Sequence, residues 1–164
     1  MKLITAEQLL KTRELSSFTN ASVFGALSEA SILWLLQNGK IHSLEKGDHI
    51  FTQGQPGNSF HVVLNGQISY FKFHDDRYAY IKDYKTGEQI GFMSLIALHD
   101  RVGRAEAHED TVTLEIDSEL FHVFHNNRPL EFGILMMNLA REMARTLRSV
   151  DNLLVEKPRA SNSA

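Results

Sequence analysis

The chain has 164 residues, 43% hydrophobic and 23% charged, with a net charge of −3 and no cysteine. This suits one folded domain with an appended element, and it excludes a disordered chain or two full domains. Disulfides, thiolate nucleophiles and Cys-ligated metal centres are excluded too, and there is no charge excess to attract nucleic acid or an anionic membrane in bulk.

The longest apolar runs, Ile32 to Leu36 and Ile134 to Met137, are too short to cross a bilayer, and the first residues lack a secretory apolar core. A cytoplasmic location with no membrane partner is the expectation. Residues 1–22 read as a short helix and a polar linker. Thr5 and Gln8 have capping-box spacing, Leu9, Leu10 and Leu15 give a weak apolar stripe, and residues 16–22 should be irregular. A second short helix follows, with Ser28 as N-cap and Ile32, Leu33, Leu35 and Leu36 as its buried face. Gly39 should end it as a left-handed cap.

From Ile41 to Ile116 the chain reads as strands and turns. His49–Gln53 alternates, residues 54–58 form a dense turn signal, and Phe60–Leu64 is strand-like. Asn65-Gly66 predicts a hairpin, because both residues tolerate positive φ. Ile68–Phe73 and Tyr78–Tyr84 alternate on either side of a turn at residues 74–77. A further turn at residues 85–88 and a late strand at Val112–Ile116 complete the region. So many short strands predict an antiparallel sandwich or barrel.

The remainder is helical. A short helix should start at Asp117 or Ser118 and stop near Asn127. A long one should run from Pro129, where a first turn tolerates proline, to about Leu154. Phe132, Met136, Leu139, Met143, Thr146, Val150 and Leu153 step alternately by four and three, an a/d seam that predicts homodimerisation. A neighbouring stripe passes through Met137, Ala140, Ala144, Leu147 and Leu154, so one stripe can pack on the chain's own strands and the other on a partner. Residues 156–164 should be disordered.

The stretch from Leu44 to Ile68, with Gly47, Gly54, Gly57 and Gly66, resembles the cyclic nucleotide-binding domain family of catabolite activator-type regulators, kinase regulatory subunits and certain ion channels. The Val23–Ser28 approach to the second helix is similar as well, and the likeness extends over about Val23 to Leu147. It implies a mainly β fold, an eight-stranded antiparallel β-roll of jelly-roll type with N-terminal helices and a long C-terminal helix. It also implies a division into residues 1–22, 23–127, 128–155 and the tail.

The resemblance places the family's phosphate-binding cassette at Ile90–Gly103, where Gly91, Ser94, Leu95, Ile96 and Arg101 match the expected types. The chemistry implied is a short helix and an arginine fork on a cyclic phosphate, a glutamate on the ribose 2′-hydroxyl, and a hydroxyl after the arginine. Here Phe92 replaces that glutamate, Val102 the hydroxyl and Gly103 an alanine. Hydrogen bonds of about 1.5–3 kcal/mol to charged groups and about 1 kcal/mol between neutral ones are lost, which weakens binding on the order of a hundredfold. The implied ligand-binding set is Gly91, Phe92, Met93, Ser94, Arg101 and Val102. Phe92 should fill the former ribose site, and Arg101 is either the phosphate ligand or a surface or salt-bridged relic.

No enzyme is indicated. The chain has no Gly-x-Ser-x-Gly, Walker or Gly-x-Gly-x-x-Gly signature. His122 and His125 lack a third metal ligand at a recognisable spacing, and a cupin site would need more than His61. Ten residues follow Leu154, too few for a helix-turn-helix, so DNA is not an expected partner. The combined expectation is a regulatory module with lost or altered nucleotide binding, no required cofactor, a homodimer seam and a protein partner. The alternative is a cyclic nucleotide sensor that relays binding through the long helix.

Overall fold

A computed structural model describes residues 1–156, so the tail from residue 157 lies outside the described residues. In chain order the elements are β1 (Lys2–Ile4), α1 (Ala6–Leu10), a 3-10 turn (Leu15–Phe18), α2 (Glu29–Asn38), β2 (Lys40–Leu44), β3 (His49–Phe51), β4 (Ser59–Asn65), β5 (Gln67–His74), β6 (Arg77–Lys85), β7 (Gln89–Ile90), α3 (Phe92–Ala97), β8 (Gly103–Ala107), β9 (Thr111–Asp117), α4 (Ser118–Asn127) and α5 (Pro129–Glu156). Two antiparallel sheets face each other, β1-β2-β9-β4-β7 and β3-β8-β5-β6. The roll expected from the sequence is strands β2 to β9. β1 joins its edge with Lys2 opposite Ser43.

The first segment differs from a helix plus linker. The Thr5–Gln8 capping box forms, but Leu9 and Phe18 are buried and residues 15–18 are helical, so the segment closes one end of the core. Gly39 caps α2 in an extended conformation (φ −83°), not a left-handed one. A glycine stands there for space, since a Cβ would lie 2.5 Å from Leu114 Cδ1.

Asn65-Gly66 is not a hairpin. β4 pairs with β9 and β7 in one sheet, while β5 pairs with β6 and β8 in the other, so the chain crosses between sheets at Gly66. Gly66 does take positive φ (86°), and a Cβ there would meet Thr111 Oγ1 at 2.5 Å. The same turn chemistry serves a crossing as well as a reversal, and the burial of β4 on both faces places it inside a sheet. The hairpin that does form joins β5 and β6 through Asp75 and Asp76, both left-handed. β8 had no clear signal, because its inward residues are Gly103, Ala105 and Ala107 and the apolar alternation is faint.

The outer face of the first sheet packs on α2, α4 and α5 with Phe60, Val62, Leu114 and Ile116. The interior of the roll holds Leu44, Phe51, Val63, Ile68 and Ile90. α5 lies on this structure for its first half. Leu135 and Leu139 are fully buried, and Asn138 Nδ2 donates to the carbonyls of Val23 and Gly25 at 3.1 and 2.7 Å.

The predicted dimer seam therefore divides. Leu139 is in the core, and Met136 and Met143 pack partly against it. Thr146 borders a cavity, and only Val150 and Leu153 are largely exposed and apolar. The neighbouring stripe is the open one, with Met137, Leu147 and Leu154 each more than half exposed. A heptad pattern marks a helix face to be covered and does not say whether the cover is the same chain or another.

Candidate functional site

The first half of the cassette is made of β7 and α3. Gly91 precedes α3 at φ 96°, where a Cβ would lie 2.6 Å from Arg101 Nη1. Only glycine lets the guanidinium lie against this backbone. The Arg101 guanidinium donates to Gly91 O at 3.0 Å, to Ser59 O at 2.6 Å and to Ser59 Oγ at 3.1 Å. Its plane covers the Phe51 ring at 4.2 Å.

Arg101 is 3% exposed. No ion pair to it forms among the described residues, and its Nε has no partner. It is neither a surface arginine nor a salt-bridged one. Burial pulls its pKa below the ordinary arginine value, and the charge of Glu115 works in the other direction. A buried guanidinium without a paired anion is costly, since desolvating an ion costs several kcal/mol.

Arg101 stands on the wall of a cavity of about 680 Å³. That is within the size range of small-molecule sites, roughly 300–1,000 Å³. Phe51, Tyr70, Tyr84, Ile90, Met143 and the cassette supply apolar and aromatic walls. Lys72, Lys82, Glu88, Gln89, Arg145 and Thr146 supply polar ones. Lys82 is bound to Glu88 at 3.1 Å and lies over the Tyr84 ring at 4.1 Å. α5 borders the cavity with residues 142–149. Glu142 binds Ser22, and burial holds its carboxyl above the usual range.

The cassette residues are placed unequally. Phe92 lies at the floor of the cavity and takes the core role expected of it. It is 2% exposed and packs edge-on to Phe60 at 5.3 Å and near Phe121 at 6.0 Å, inside the core. Ser94 is buried, whereas Met93 is 63% exposed and Val102 half-exposed at the rim. The backbone N–H of Phe92 donates to Gln89 Oε1 at 3.3 Å.

A second polar group lies behind Arg101, between the sheets. His42 Nε2 is 2.7 Å from Glu115 Oε2, the His42 and His61 rings are 5.6 Å apart, and His61 Nδ1 is 3.4 Å from Thr113 Oγ1. Burial pushes the His61 imidazole down to about 3, so it is neutral. The hydrogen bond from His42 holds the Glu115 carboxyl well below the usual range, and His61 and Ser59 contribute. These residues carry no sequence signal, because they are single polar positions spread over the three strands β2, β4 and β9, and only the strand register brings them together. His122 and His125 remain neighbours on α4, with ring centroids 6.4 Å apart. Among the described residues no set of three potential ligands is placed to hold a metal.

Comparison with known proteins agrees with this geometry. Residues 41–128 match the cyclic nucleotide-binding domain family. The chain is 32% identical to the cyclic AMP receptor protein of Thermus thermophilus over 107 residues, 65% of this chain and 48% of that one. It is 22% identical to lysophospholipase NTE1 of Cryptococcus neoformans over 87% of its own length and 9% of that protein. It thus spans less than half of either relative. A cyclic nucleotide-binding domain from Methylobacillus flagellatus superposes with a TM-score of 0.78 at 20% identity, over 97% of this chain and 92% of that one. The family match covers the roll strands β2 to β9, the cassette and Arg101, and on that ground the chain belongs to the cyclic nucleotide-binding domain family.

Proposed function

We propose that this is a non-enzymatic regulatory domain whose cavity binds a phosphate-bearing ligand of the cyclic nucleotide kind at Arg101, with altered selectivity, and whose helix α5 passes the occupied state to a partner. The observation that carries this reading is the guanidinium of Arg101, buried on the wall of a 680 Å³ cavity with Nε unpartnered and no carboxylate paired to it. An incoming anion supplies the missing charge, and hydrogen bonds to charged groups contribute about 1.5–3 kcal/mol. The ligand set then reduces to Arg101, Gly91 and Ser94, with Met93 and Val102 at the rim. Phe92 anchors the first turn of α3 on Phe60 and Phe121 and gives the cavity an apolar wall.

No side chain of the cassette accepts from a ribose 2′-hydroxyl, so ordinary cyclic AMP should bind weakly. α5 both borders the cavity and exposes the Met137–Leu147–Leu154 stripe, so a shift of α5 on binding changes a surface that a second copy can cover.

The test is thermal denaturation with cyclic AMP, cyclic GMP and cyclic dinucleotides at millimolar concentration, beside an Arg101→Ala control. At a hundred times its dissociation constant a ligand adds about 2.7 kcal/mol, or about 5–11 °C in Tm for a chain of this size. A shift that disappears in Arg101→Ala supports the reading. No shift with any of them, or one that survives the substitution, overturns it.

A further inference from the structure

The inner face of the second sheet carries a row of three residues beside Arg101. Phe51 of β3 pairs with Ala105 of β8, and Ala105 pairs in turn with Tyr70 of β5. Directly paired residues point to the same face, and all three pack in the interior of the roll. Strands lie about 4.8 Å apart, so the backbones of Phe51 and Tyr70 stand about 10 Å apart with only the Ala105 methyl between them. The Phe51 ring carries the Arg101 guanidinium at 4.2 Å. Tyr70 is thus the side chain across this row from the guanidinium, and both line the cavity.

The Tyr70 ring also reaches the end of the cassette. A Cβ on Gly103 would collide with Phe71 O and would meet Tyr70 Oη at 2.7 Å and Cε2 at 2.9 Å. The hydroxyl therefore lies against the backbone of Gly103, next to Val102 and two residues from Arg101. The backbone N–H of Phe73 donates to Val102 O at 3.2 Å, which ties this end of the cassette to β5. Among the described residues the Tyr70 hydroxyl has no hydrogen-bond partner, and it is not sealed from the cavity. Burial raises its pKa, so it keeps its proton and donates.

We propose that Tyr70 takes the place of the hydroxyl missing at Val102, its Oη donating to the phosphate held by Arg101, so that β5 completes the anion site. Two departures from the family pattern meet at this one atom. Val102 removes a hydroxyl, and Gly103 has no Cβ to displace the phenol that stands beside it. Of the other hydroxyls on the cavity wall, Ser22 donates to Gly87 O and Ser149 to Arg145 O, and Tyr84 stands opposite Ile68, one inward row away. The contact restores recognition of phosphate and leaves the ribose without an acceptor.

This inference rests on Arg101 as the anion site. The test measures dissociation constants by NMR titration with cyclic AMP and with its two phosphorothioates, in which sulfur replaces one or the other exocyclic oxygen. Tyr70→Phe keeps the ring and should melt as the native chain does. It should weaken cyclic AMP binding about tenfold or more, the loss of one hydrogen bond to a charged group. A phenol donates better to oxygen than to sulfur, so the native chain should prefer one phosphorothioate and Tyr70→Phe should narrow that gap. Val102→Thr should recover most of the affinity in Tyr70→Phe and add little to the native chain, because the two hydroxyls serve the same phosphate.

Equal affinity of the native chain and Tyr70→Phe overturns the inference and leaves the ligand reading standing. So does a loss that is the same for both phosphorothioates and is not recovered by Val102→Thr, which would assign Tyr70 to packing alone. Failure of the ligand reading has a different signature, either no binding to the native chain or binding that survives Arg101→Ala, and the inference falls with it.

Discussion

Placing a glutamate at position 92 distinguishes the sequence alignment from the structure. If residue 92 were free to reach into the cavity it borders, Phe92→Glu would restore the ribose acceptor and strengthen cyclic AMP binding. The structure has the Phe92 ring 2% exposed, between Phe60 at 5.3 Å and Phe121 at 6.0 Å. Truncating such a ring costs about 3–5 kcal/mol. The two aromatic pairs are worth about 0.5–1.5 kcal/mol each beyond area burial, and are part of what that truncation removes. Small domains have about 5–15 kcal/mol in total, so Phe92→Ala should leave a weakened fold, about 6–20 °C lower in Tm. Phe92→Glu adds the cost of an unpaired carboxyl in an apolar site and should be less stable still. Urea denaturation of the three proteins, followed by circular dichroism, reads this order directly. A Phe92→Glu protein with native stability and a stronger response to cyclic AMP would refute the placement of the ring.

The two stripes of α5 make opposite predictions. Leu139→Glu should unfold or strongly destabilise the domain, because Leu139 is fully buried, and loss of a buried leucine alone costs about 2–5 kcal/mol. Leu147→Glu should leave the monomer intact and abolish any dimer, as read by light scattering. A native dimer that persists in Leu147→Glu would move the interface elsewhere. The pH dependence of folding has a defined sign. His61 has its folded pKa lowered from 6.5 to about 3 by burial, so between these values the unfolded chain binds the extra proton and stability falls as pH falls. Glu115, also lowered, contributes stability above its unfolded pKa that is lost on further acidification. From pH 7 to pH 4 the native chain should lose more stability than His61→Phe, which lacks this group, and parallel denaturation curves would contradict the assignment.

The sequence on its own determined the fold family and most of the elements. The run from Gly47 to Gly66, the Asp75-Asp76 turn, the Thr5, Ser28 and Asp117 caps and the span of α5 are local. They depend on backbone geometry and capping that a few neighbouring residues decide. It also singled out Arg101 and the departures at Phe92 and Val102 from the family pattern, because the cassette is contiguous. What the tertiary structure decided is which face each local signal meets. Gly66 turns the chain in either case, and only the burial of β4 on both sides makes that turn a crossing between sheets. Two heptad stripes look equivalent in the sequence, and only the shape of the roll assigns Leu139 inward and Leu147 outward. Phe92 reads in the sequence only as a departure from the family pattern, and only the packing shows its ring held against Phe60 and Phe121 at the edge of the cavity. Ser59, His42, His61 and Glu115 come from three strands, and long-range register, which no local pattern encodes, aligns them behind Arg101.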